Sequence, residues 1–275
     1  LRRGKTVGEA DPAEIDEVGL AELMVGRPVQ LLVDKAPAQP AAPVLSVDRM
    51  HVVDPTGRTL VDHVSFNVRA GEIVGVAGVQ GNGQTELVEA LTGLRDVITG
   101  SNHLDGADIT HATPREIHSI GVAHIPEDRQ RSGLVGDFSV AENMVLTRYH
   151  DDEFSNGMRM DWPKARGIAA ELVEQYDVRT PSIQTPAGTL SGGNQQKVIV
   201  ARELSRDLRL VIASQPTRGV DVGSIEYIHA QIVKARDQGA AVLVVSTELD
   251  EVMALSDRII VMFRGRIVAN LQREE

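Results

Sequence analysis

Apolar and polar residues follow two different periodicities along this 275-residue chain. Over residues 44–48 and 59–68 they alternate one by one, which predicts two half-buried antiparallel strands. The sequence Asp-Pro-Thr-Gly at 54–57 supplies the turn between them, because Asp, Pro and Gly each favour turn geometry. These residues therefore predict an antiparallel β flap.

From residue 72 onward, continuous apolar runs replace the alternation, at 72–77, 121–125, 208–213 and 240–246. Helical patterns separate the runs: Leu87, Val88, Leu91 and Leu94 share one face, and further helices are predicted near 139–147, 163–177, 190–204 and 225–236. Apolar strands that alternate with helices are typical of a parallel sheet buried on both faces. A strand at 258–262 and a hairpin around residue 265 close the domain. The predicted fold class is α/β, with a helical insertion at about 128–188.

Residues 1–34 resemble the end of another domain. Leu-Arg-Arg-Gly-Lys-Thr-Val-Gly at 1–8 is similar to Met-Phe-Arg-Gly-Arg-Ile-Val-Ala at 262–269, and self-similarity indicates an internal repeat. Under that interpretation, residues 13–24 form the closing amphipathic helix of a preceding, similar domain. The alternative is chance, since a basic-Gly-basic turn is a common hairpin. The Pro/Ala-rich residues 35–43 are predicted to be a linker, and residues 44–275 the domain itself.

Composition narrows the functional classes. The 39 acidic residues outnumber the 28 basic ones, giving a net charge of −11, which argues against a nucleic-acid partner because such proteins usually present a basic face. The chain has no cysteine, so it has no disulfides and no cysteine zinc site, and a reducing cytosolic environment suits it. No apolar run approaches the roughly 20 residues that span a bilayer. Any role at a membrane is therefore expected to come from docking to another subunit.

The sequence Gly-Val-Gln-Gly-Asn-Gly-Gln-Thr at 78–85 lies between an apolar strand and a helical pattern. This arrangement cradles nucleotide phosphates, because glycines let backbone N–H groups approach the anion and the helix N-terminus favours negative charge. The usual pattern is Gly-x-x-x-x-Gly-Lys-Ser/Thr, and Gln84 stands at the lysine position. The loop is therefore predicted to bind phosphate without a fixed positive charge, and Thr85 to be a weak magnesium ligand. The candidate phosphate-binding residues are Gly78, Gly81, Asn82, Gly83, Gln84, Thr85 and Glu86.

A second anion-binding pattern, Leu-Ser-Gly-Gly-Asn-Gln-Gln-Lys, occupies residues 190–197 at the start of a long predicted helix. Ser191 is a natural N-cap for that helix. Two anion sites so far apart in sequence suit one nucleotide held between two domains arranged head to tail. The alternative is an ordinary capped helix that follows a glycine turn.

With these motifs in this order, the chain resembles the nucleotide-binding domains of ABC transporters over about residues 44–272. The other matching motifs are Pro-Glu-Asp-Arg at 126–129, Phe-Ser-Val-Ala-Glu-Asn at 138–143, Pro-Thr-Arg-Gly-Val-Asp at 216–221 and Ser-Thr-Glu-Leu-Asp-Glu at 246–251. The exact residues of these motifs are most similar to those in the second half of tandem ATPase subunits of sugar and nucleoside importers. The nucleoside importers of this family are paired with basic-membrane-lipoprotein binding proteins.

This resemblance implies an ABC-type P-loop NTPase fold with a parallel core sheet, an antiparallel β subdomain and a helical signature subdomain. It implies ATP and Mg²⁺ as cofactors. The implied partners are a preceding nucleotide-binding domain of the same chain, membrane permease subunits and, indirectly, an extracytoplasmic binding protein. The implied location is peripheral, on the cytoplasmic face of the plasma membrane.

The resemblance also implies which positions carry the chemistry, and several hold unusual residues. Ser214 and Gln215 stand where the family has the magnesium-supporting Asp and the water-polarising Glu. Thr247 replaces the switch histidine, and Glu127 the Q-loop glutamine. A carboxamide cannot take a proton as a carboxylate does, and losing a general base lowers rates by ~10²–10⁴-fold. The chain's own site is therefore predicted to be hydrolytically impaired, the alternative being that other residues sustain activity.

The signature motif is intact, through Leu190, Ser191, Gly192, Gly193, Asn194 and Gln195, and so is Asp221 of the D-loop. In the family these residues reach across a dimer and complete the partner's ATP site. The chain is therefore expected to activate the other half of the ATPase. Two alternatives remain: a regulatory domain that does not bind nucleotide, and an ABC-type ATPase of non-transport function. Residues 138–143 are predicted to dock to the permease, Trp162 to pack in the insertion, and Glu248, Asp250 and Glu251 to face solvent.

Overall fold

The computed structural model describes residues 5–11, 15, 16, 19, 20, 22, 23, 26, 33, 35–156 and 159–272. Half of the helix predicted at 13–24 lies outside these residues. Along the chain the elements are β1 (Pro43–Val53), β2 (Thr59–Arg69), β3 (Ile73–Ala77), α1 (Gln84–Leu91), β4 (Thr99–Leu104), β5 (Ala107–Asp108), α2 (Pro114–Ser119), β6 (Val122–Ile125), a π-helical turn (Arg129–Gly133), α3 (Val140–Val145), β7 (Ser155–Asn156), β8 (Arg159–Met160), α4 (Trp162–Gln175), a 3-10 turn (Ala187–Thr189), α5 (Gly192–Leu204), β9 (Leu210–Ser214), α6 (Val222–Asp237), β10 (Ala241–Ser246), α7 (Leu249–Leu255), β11 (Arg258–Phe263) and β12 (Arg266–Gln272).

Within the described residues, the central sheet has the strand order β12-β11-β3-β10-β9-β6. The strands from β11 to β6 run parallel, and β12 is antiparallel to β11. Every residue of β3, β9 and β10 is buried, as expected for strands covered on both faces. The parallel core sheet predicted from the sequence is confirmed. The carboxyl ends of β3, β6, β9 and β10 lie at one edge, from which the loops of the predicted site emerge.

The predicted β flap is a separate antiparallel sheet with strand order β2-β1-β4-β5. β1 and β2 pair through residues such as Val47 and Phe66. The turn between them is stabilised by Asp54, whose carboxylate accepts from the backbone N–H groups of Thr56 (2.8 Å) and Arg58 (3.0 Å). Strands β4 and β5 have no clear alternation and were not predicted. They form because β1 offers β4 a free edge with backbone donors and acceptors.

Two apolar cores cover the two faces of the central sheet. The first joins the flap and α1 to one face, with Phe66, Leu87 and Leu243 among its buried residues. The second packs α5, α6 and the helical insertion on the other face, through residues that include Met144 and Ile199. The insertion therefore rests on the same helix, α5, that begins with the signature motif.

Three expectations are wrong in detail. Leu94 is 59% exposed, because α1 ends at Leu91 and Gly93 then turns the chain with φ +72°. Trp162 begins α4 and is 37% exposed rather than packed in the insertion. Glu251 is only 7% exposed, because residues 249–255 form the short helix α7, which the sequence pattern did not predict. None of the helices formed by the described residues is long and apolar enough to cross a membrane.

Candidate nucleotide site and signature face

The predicted phosphate loop joins the carboxyl end of β3 to the first turn of α1. Gly81 and Gly83 adopt φ +84° and +100°, in the left-handed region that favours glycine. A Cβ at Gly83 would lie 2.5 Å from the carbonyl oxygen of Leu60, and one at Gly78 would lie 2.6 Å from that of Met262. Close backbone packing therefore requires glycine at positions 78 and 83, and at Gly81 the left-handed φ favours it. Glu86 lies on the first turn of α1 and is the acidic residue there.

Gln84, at the lysine position, folds back into the loop and is buried. Its Nε2 donates to the carbonyl of Val79 (3.2 Å), and its Oε1 accepts from the backbone N–H of Asn82 (3.1 Å). A lysine could not accept that second bond, because an ammonium has no lone pair. Gln84 thus removes the charge and also engages a loop N–H group that an anion would otherwise meet.

Asn82 ties the phosphate loop to the hairpin between β11 and β12. Its Oδ1 accepts from the backbone N–H of Arg264 (2.7 Å), and its carbonyl accepts from the N–H of Gly265 (2.9 Å). Its Nδ2 donates to Val79 O at 2.8 Å. These contacts give the loop a defined shape through bonds that the chain itself supplies.

The other predicted catalytic positions do come together with the phosphate loop. Gln84, Thr85, Glu127, Ser214, Gln215 and Thr247 line one small cleft. Ser214 ends β9 and Gln215 follows it, Thr247 follows β10 and Glu127 lies just after β6, so the parallel sheet brings these side chains to one edge. The sequence spacing alone did not supply this proximity; the strand order of the folded sheet does.

Gln215 and Thr247 contact each other inside this cleft. The Nε2 of Gln215 donates to Oγ1 of Thr247 (3.1 Å), and its Oε1 accepts from Oγ of Ser246 (3.4 Å). Gln215 holds a left-handed φ of +48°, which is uncommon for a residue other than glycine. Neither a carboxamide nor a hydroxyl takes up a proton near neutral pH, so this pair can orient water but cannot act as a general base.

Glu127 is the one charged side chain among the described residues that line the cleft. Its Oε2 accepts from the Thr85 hydroxyl (3.3 Å), and its Oε1 accepts from Nη1 of Arg218 (2.5 Å). A hydroxyl and a carboxylate side by side are the hard oxygen ligands that Mg²⁺ prefers. Thr85 and Glu127 therefore fit a magnesium ion, which would supply the positive charge that Gln84 lacks.

The signature residues lie at the N-terminus of α5 and do not line this cleft. Ser191 is the N-cap residue by backbone geometry, as predicted, but its Oγ accepts from Nδ2 of Asn194 (2.9 Å) rather than from a backbone N–H. Asn194 in turn accepts from the backbone N–H of Arg179 (2.7 Å). Leu190 is partly buried against the second core, and Gln195 donates to the carbonyls of residues 187 and 188 at 3.3 and 3.2 Å.

Asp221, the predicted D-loop residue, caps α6 of its own domain. Its carboxylate accepts from the backbone N–H of Ser224 (3.1 Å) and from the Ser224 hydroxyl (2.8 Å). The start of α6 lies directly against the start of α5, because a Cβ at Gly193 would fall 2.1 Å from Oγ of Ser224. The signature and the D-loop are therefore adjacent within one chain.

A buried polar cluster behind the cleft was missed at the sequence level. Glu251 accepts from the Thr217 hydroxyl (2.6 Å), and its Oε1 lies 2.9 Å from Nε2 of His229. Burial by itself would raise the pKa of Glu251, but hydrogen bonds from His229, Thr217 and Ser246 outweigh it and hold that pKa below its usual value. The acidic run at 248–251 did not indicate that Glu251 is buried, because its partners His229 and Thr217 lie on α6 and after β9.

Comparison with known proteins shows the family and the fold of the chain. The ABC transporter family matches residues 61–218, more than half of the chain. The chain is 47% identical over 275 residues to the guanosine import ATP-binding protein NupO of Bacillus subtilis, covering 100% of this chain and 54% of that protein. It is 49% identical over 267 residues to the nucleoside import ATP-binding protein NupA of Lactococcus lactis, with coverage of 97% and 53%. It is 44% identical over 277 residues to the glucose import ATP-binding protein TsgD13 of Haloferax volcanii, with coverage of 100% and 50%.

The chain thus spans about half the length of the curated relatives it matches. Among solved structures, a nucleotide-free ATP-binding cassette from an ABC transporter superposes with a TM-score of 0.72 at 23% identity, over 84% of this chain and 92% of that one. At this identity the likeness concerns the fold alone, and it confirms the α/β ABC-type architecture that the motifs imply.

Proposed function

Because the chain belongs to the ABC transporter family, we propose that it is the second ATP-binding half of an importer's ATPase subunit. The relatives named for guanosine and nucleoside import are 47% and 49% identical to it, and the one named for glucose import is 44% identical. Nucleosides are therefore the preferred substrate class, with sugars as the alternative. The half-length coverage of these relatives agrees with a tandem protein of which this chain is one half.

The proposed partners follow from that role. A preceding nucleotide-binding domain faces this one head to tail, and membrane permease subunits receive the resulting motion at the cytoplasmic face of the membrane. An extracytoplasmic binding protein delivers the substrate to the permease. Phe138, at the start of the predicted docking segment, is 42% exposed, which suits a side chain that packs against another subunit.

We further propose that the chain's own ATP site is hydrolytically impaired and that its signature completes the partner's site. The observation that carries this proposal is the contact between Gln215 and Thr247, 3.1 Å apart. Two neutral side chains hydrogen-bond to each other at the positions where the family has the water-polarising glutamate and the switch histidine. Losing a general base lowers a rate by ~10²–10⁴-fold, so the cleft binds and orients rather than hydrolyses.

The residues that remain can still hold Mg-ATP. The backbone of residues 78–85 would bind phosphate, and Thr85 with Glu127 would hold Mg²⁺, which neutralises phosphate charge when bound. Gln84 contributes no charge, and Ser214 is a neutral hydroxyl at the usual Asp position. The proposal is therefore a static nucleotide site in this half and an active one in the other.

The first test is phosphate release from Mg-ATP by this chain, with the purified Thr85→Ala variant as the control for contaminating ATPases. We expect wild type and variant to release phosphate at the same background rate. Turnover typical of an enzyme, on the order of 1 s⁻¹ or more, that the variant lacks would contradict the impaired site.

The second test addresses the signature. In the natural full-length protein with its permease, Ser191→Arg places a large cation at the N-terminus of α5, and we expect transport-coupled ATPase activity to be abolished. Arg179→Ala, a change of an exposed side chain near the same helix, serves as the matched control. Unchanged turnover in the Ser191 variant would contradict a role across the domain interface.

A second candidate function is supported by Gln84. Its Oε1 accepts a hydrogen bond from the backbone N–H of Asn82, so this donor of the phosphate loop has a partner without an anion. A regulatory domain that does not bind nucleotide would require such internal hydrogen bonds. Calorimetric titration of the chain with Mg-ATP separates the two candidates. Measurable binding supports the static ATP site, and its absence supports the regulatory domain.

A further inference from the structure

Arg129, the last residue of the Pro-Glu-Asp-Arg motif, lies between the signature helix and the D-loop. Its Nη1 donates to the carbonyl of Arg218 (2.6 Å), and its Nη2 donates to the carbonyl of Gly219 (3.1 Å). Its Nε donates to Oε1 of Gln195 on α5 (3.3 Å). One guanidinium therefore contacts two consecutive residues that lead into the D-loop and one residue of the signature.

The signature glycines form the opposite wall of this contact. A Cβ at Gly192 would lie 2.7 Å from Nη2 of Arg129 and 3.0 Å from the carbonyl oxygen of Gly219. A Cβ at Gly193 would lie 2.6 Å from Oδ2 of Asp221. Both glycines are thus required by packing inside this chain, apart from anything they contact in a partner.

The geometry also explains why an arginine stands here. Its planar fork places several N–H donors in fixed directions, so it can satisfy two neighbouring carbonyls and an amide at once, whereas a lysine offers a single charged point on a flexible stem. The backbone of Arg129 is held by the π-helical turn, in which Asp128 accepts from the N–H groups of Gln130 and Arg131, both at 3.0 Å. The fork therefore starts from a fixed position.

We propose that Arg129 is a positioning residue that holds the signature and the D-loop as one unit, so that both meet the partner's ATP site together. The inference rests on the proposed role of the signature across the domain interface. Arg129 does not line this chain's own cleft, and its bonds go to the two elements that would face the other half. Loss of the fork frees these elements to move independently.

The test compares Arg129→Ala, Arg129→Lys and Arg131→Ala in the natural full-length protein with its permease. Arg131 is exposed on the same π-helical turn and provides the matched control. We expect Arg129→Ala to lower kcat by about 10²-fold with KM for ATP changed by less than about threefold, because small misplacement of groups far from the reacting atoms affects the transition state more than substrate binding. Arg129→Lys should give an intermediate loss and Arg131→Ala none.

Measuring Ser191→Arg in the same assay separates failure of this inference from failure of the proposed function. If Ser191→Arg abolishes turnover while Arg129→Ala behaves like Arg131→Ala, the positioning role is overturned and the signature's role stands. If Ser191→Arg has no effect, the proposed function itself fails. A raised KM with unchanged kcat in Arg129→Ala would also overturn the inference. Should the alanine variant unfold, wild-type kcat in Arg129→Lys would show that the fork is not needed.

Discussion

The cleft at the phosphate loop and the face built by the signature and the D-loop contrast sharply within one domain. In the cleft, the positions expected to carry charge hold Gln84, Gln215 and Thr247, whose amides and hydroxyl bond to the loop or to each other. At the signature face, the expected residues are present, and an arginine fork and two tightly packed glycines hold them in place. The described lining of the cleft thus carries one charged side chain, Glu127, whereas the signature face holds the residues that the family pattern predicts.

The difference teaches where this fold tolerates substitution. In this structure the neutral side chains of Gln215 and Thr247 directly follow β9 and β10, and the parallel ladder between these two strands is regular. At the signature face, a single carbon added at Gly193 would collide with the side chains of Ser224 and Asp221 at the start of α6. Neutral side chains in the cleft are therefore compatible with the fold, whereas a carbon added at the signature glycines requires neighbouring atoms to shift.

The largest effect on turnover and stability is expected from Gly193→Ala, which tests the close packing at the signature face. The new Cβ would lie 2.1 Å from Oγ of Ser224 and 2.6 Å from Oδ2 of Asp221, so these side chains must give up their present positions or the starts of α5 and α6 must separate. We expect turnover of the full-length protein to fall by about 10²-fold and the free energy of unfolding to fall by about 1–3 kcal/mol. Steady-state ATPase assays and urea denaturation measure the two quantities.

Gly167→Ala provides the control for that substitution. Gly167 lies within α4, and a Cβ there meets nothing within 4 Å. Alanine is the better helix former by about 1 kcal/mol, so this variant should be slightly more stable than wild type and equally active. If both glycine variants behaved alike, the signature glycines would have no packing role inside this chain.

An intermediate effect is expected from Glu251→Gln, which probes the buried cluster that joins the cleft side of the sheet to α6. Removing the charge weakens bonds from Thr217 and His229, and hydrogen bonds to charged groups contribute roughly 1.5–3 kcal/mol. We expect the free energy of unfolding at pH 7 to fall by about that amount. Asp250→Asn, an exposed position on the same helix, should have little effect.

The pH dependence of this difference has a definite sign. The pKa of Glu251 is depressed in the folded state, so its contribution is present above the unfolded-state pKa of about 4.3 and is lost as the pH falls through the folded-state value. Urea denaturation at pH 7 and at pH 4 or below should therefore show wild type and Glu251→Gln converging as the medium becomes more acidic. Parallel pH profiles would mean that the ionised carboxylate does not stabilise the fold.

The sequence was most informative where one residue pattern acts locally. The continuous apolar runs of β3, β9 and β10, the glycines of the phosphate loop and the N-cap position of Ser191 follow from nearest neighbours along the chain, and all were predicted. Arg129 and Glu251 were not assigned roles, because the partners of Arg129 are 66–90 residues away and two partners of Glu251, His229 and Thr217, are 22 and 34 residues away. Two of the acceptors of Arg129 are backbone carbonyls, which leave no trace in the sequence.

The pattern of apolar and polar residues also failed to predict strands and helix ends that depend on tertiary contacts or on a single turn residue. β4, Thr-Gly-Ser-Asn-His-Leu, has little strand propensity and forms because β1 pairs with it. Leu94 continues the apolar spacing of α1, yet Gly93 ends the helix first. Gln84, Thr85, Glu127, Ser214, Gln215 and Thr247 of the cleft were named from the resemblance, but Gln80 and Val245 in its lining and the bond between Gln215 and Thr247 came only from the structure.

The smallest effect is expected from restoring the missing lysine alone. Gln84→Lys returns a positive charge to the loop and releases the Asn82 N–H group, so Mg-ATP affinity should rise. Phosphate release by the chain should still change by less than about threefold, because a charge that stabilises the transition state is of little use without a proton acceptor, and effects of residues that act as a unit are not additive.

The matched variant is Gln84→Lys with Ser214→Asp and Gln215→Glu, which should recover a large part of the ~10²–10⁴-fold expected of a general base. A large gain in phosphate release from Gln84→Lys alone would mean that the missing lysine charge is the whole defect of the cleft. The contrast between the cleft and the signature face would then depend on residue 84 alone.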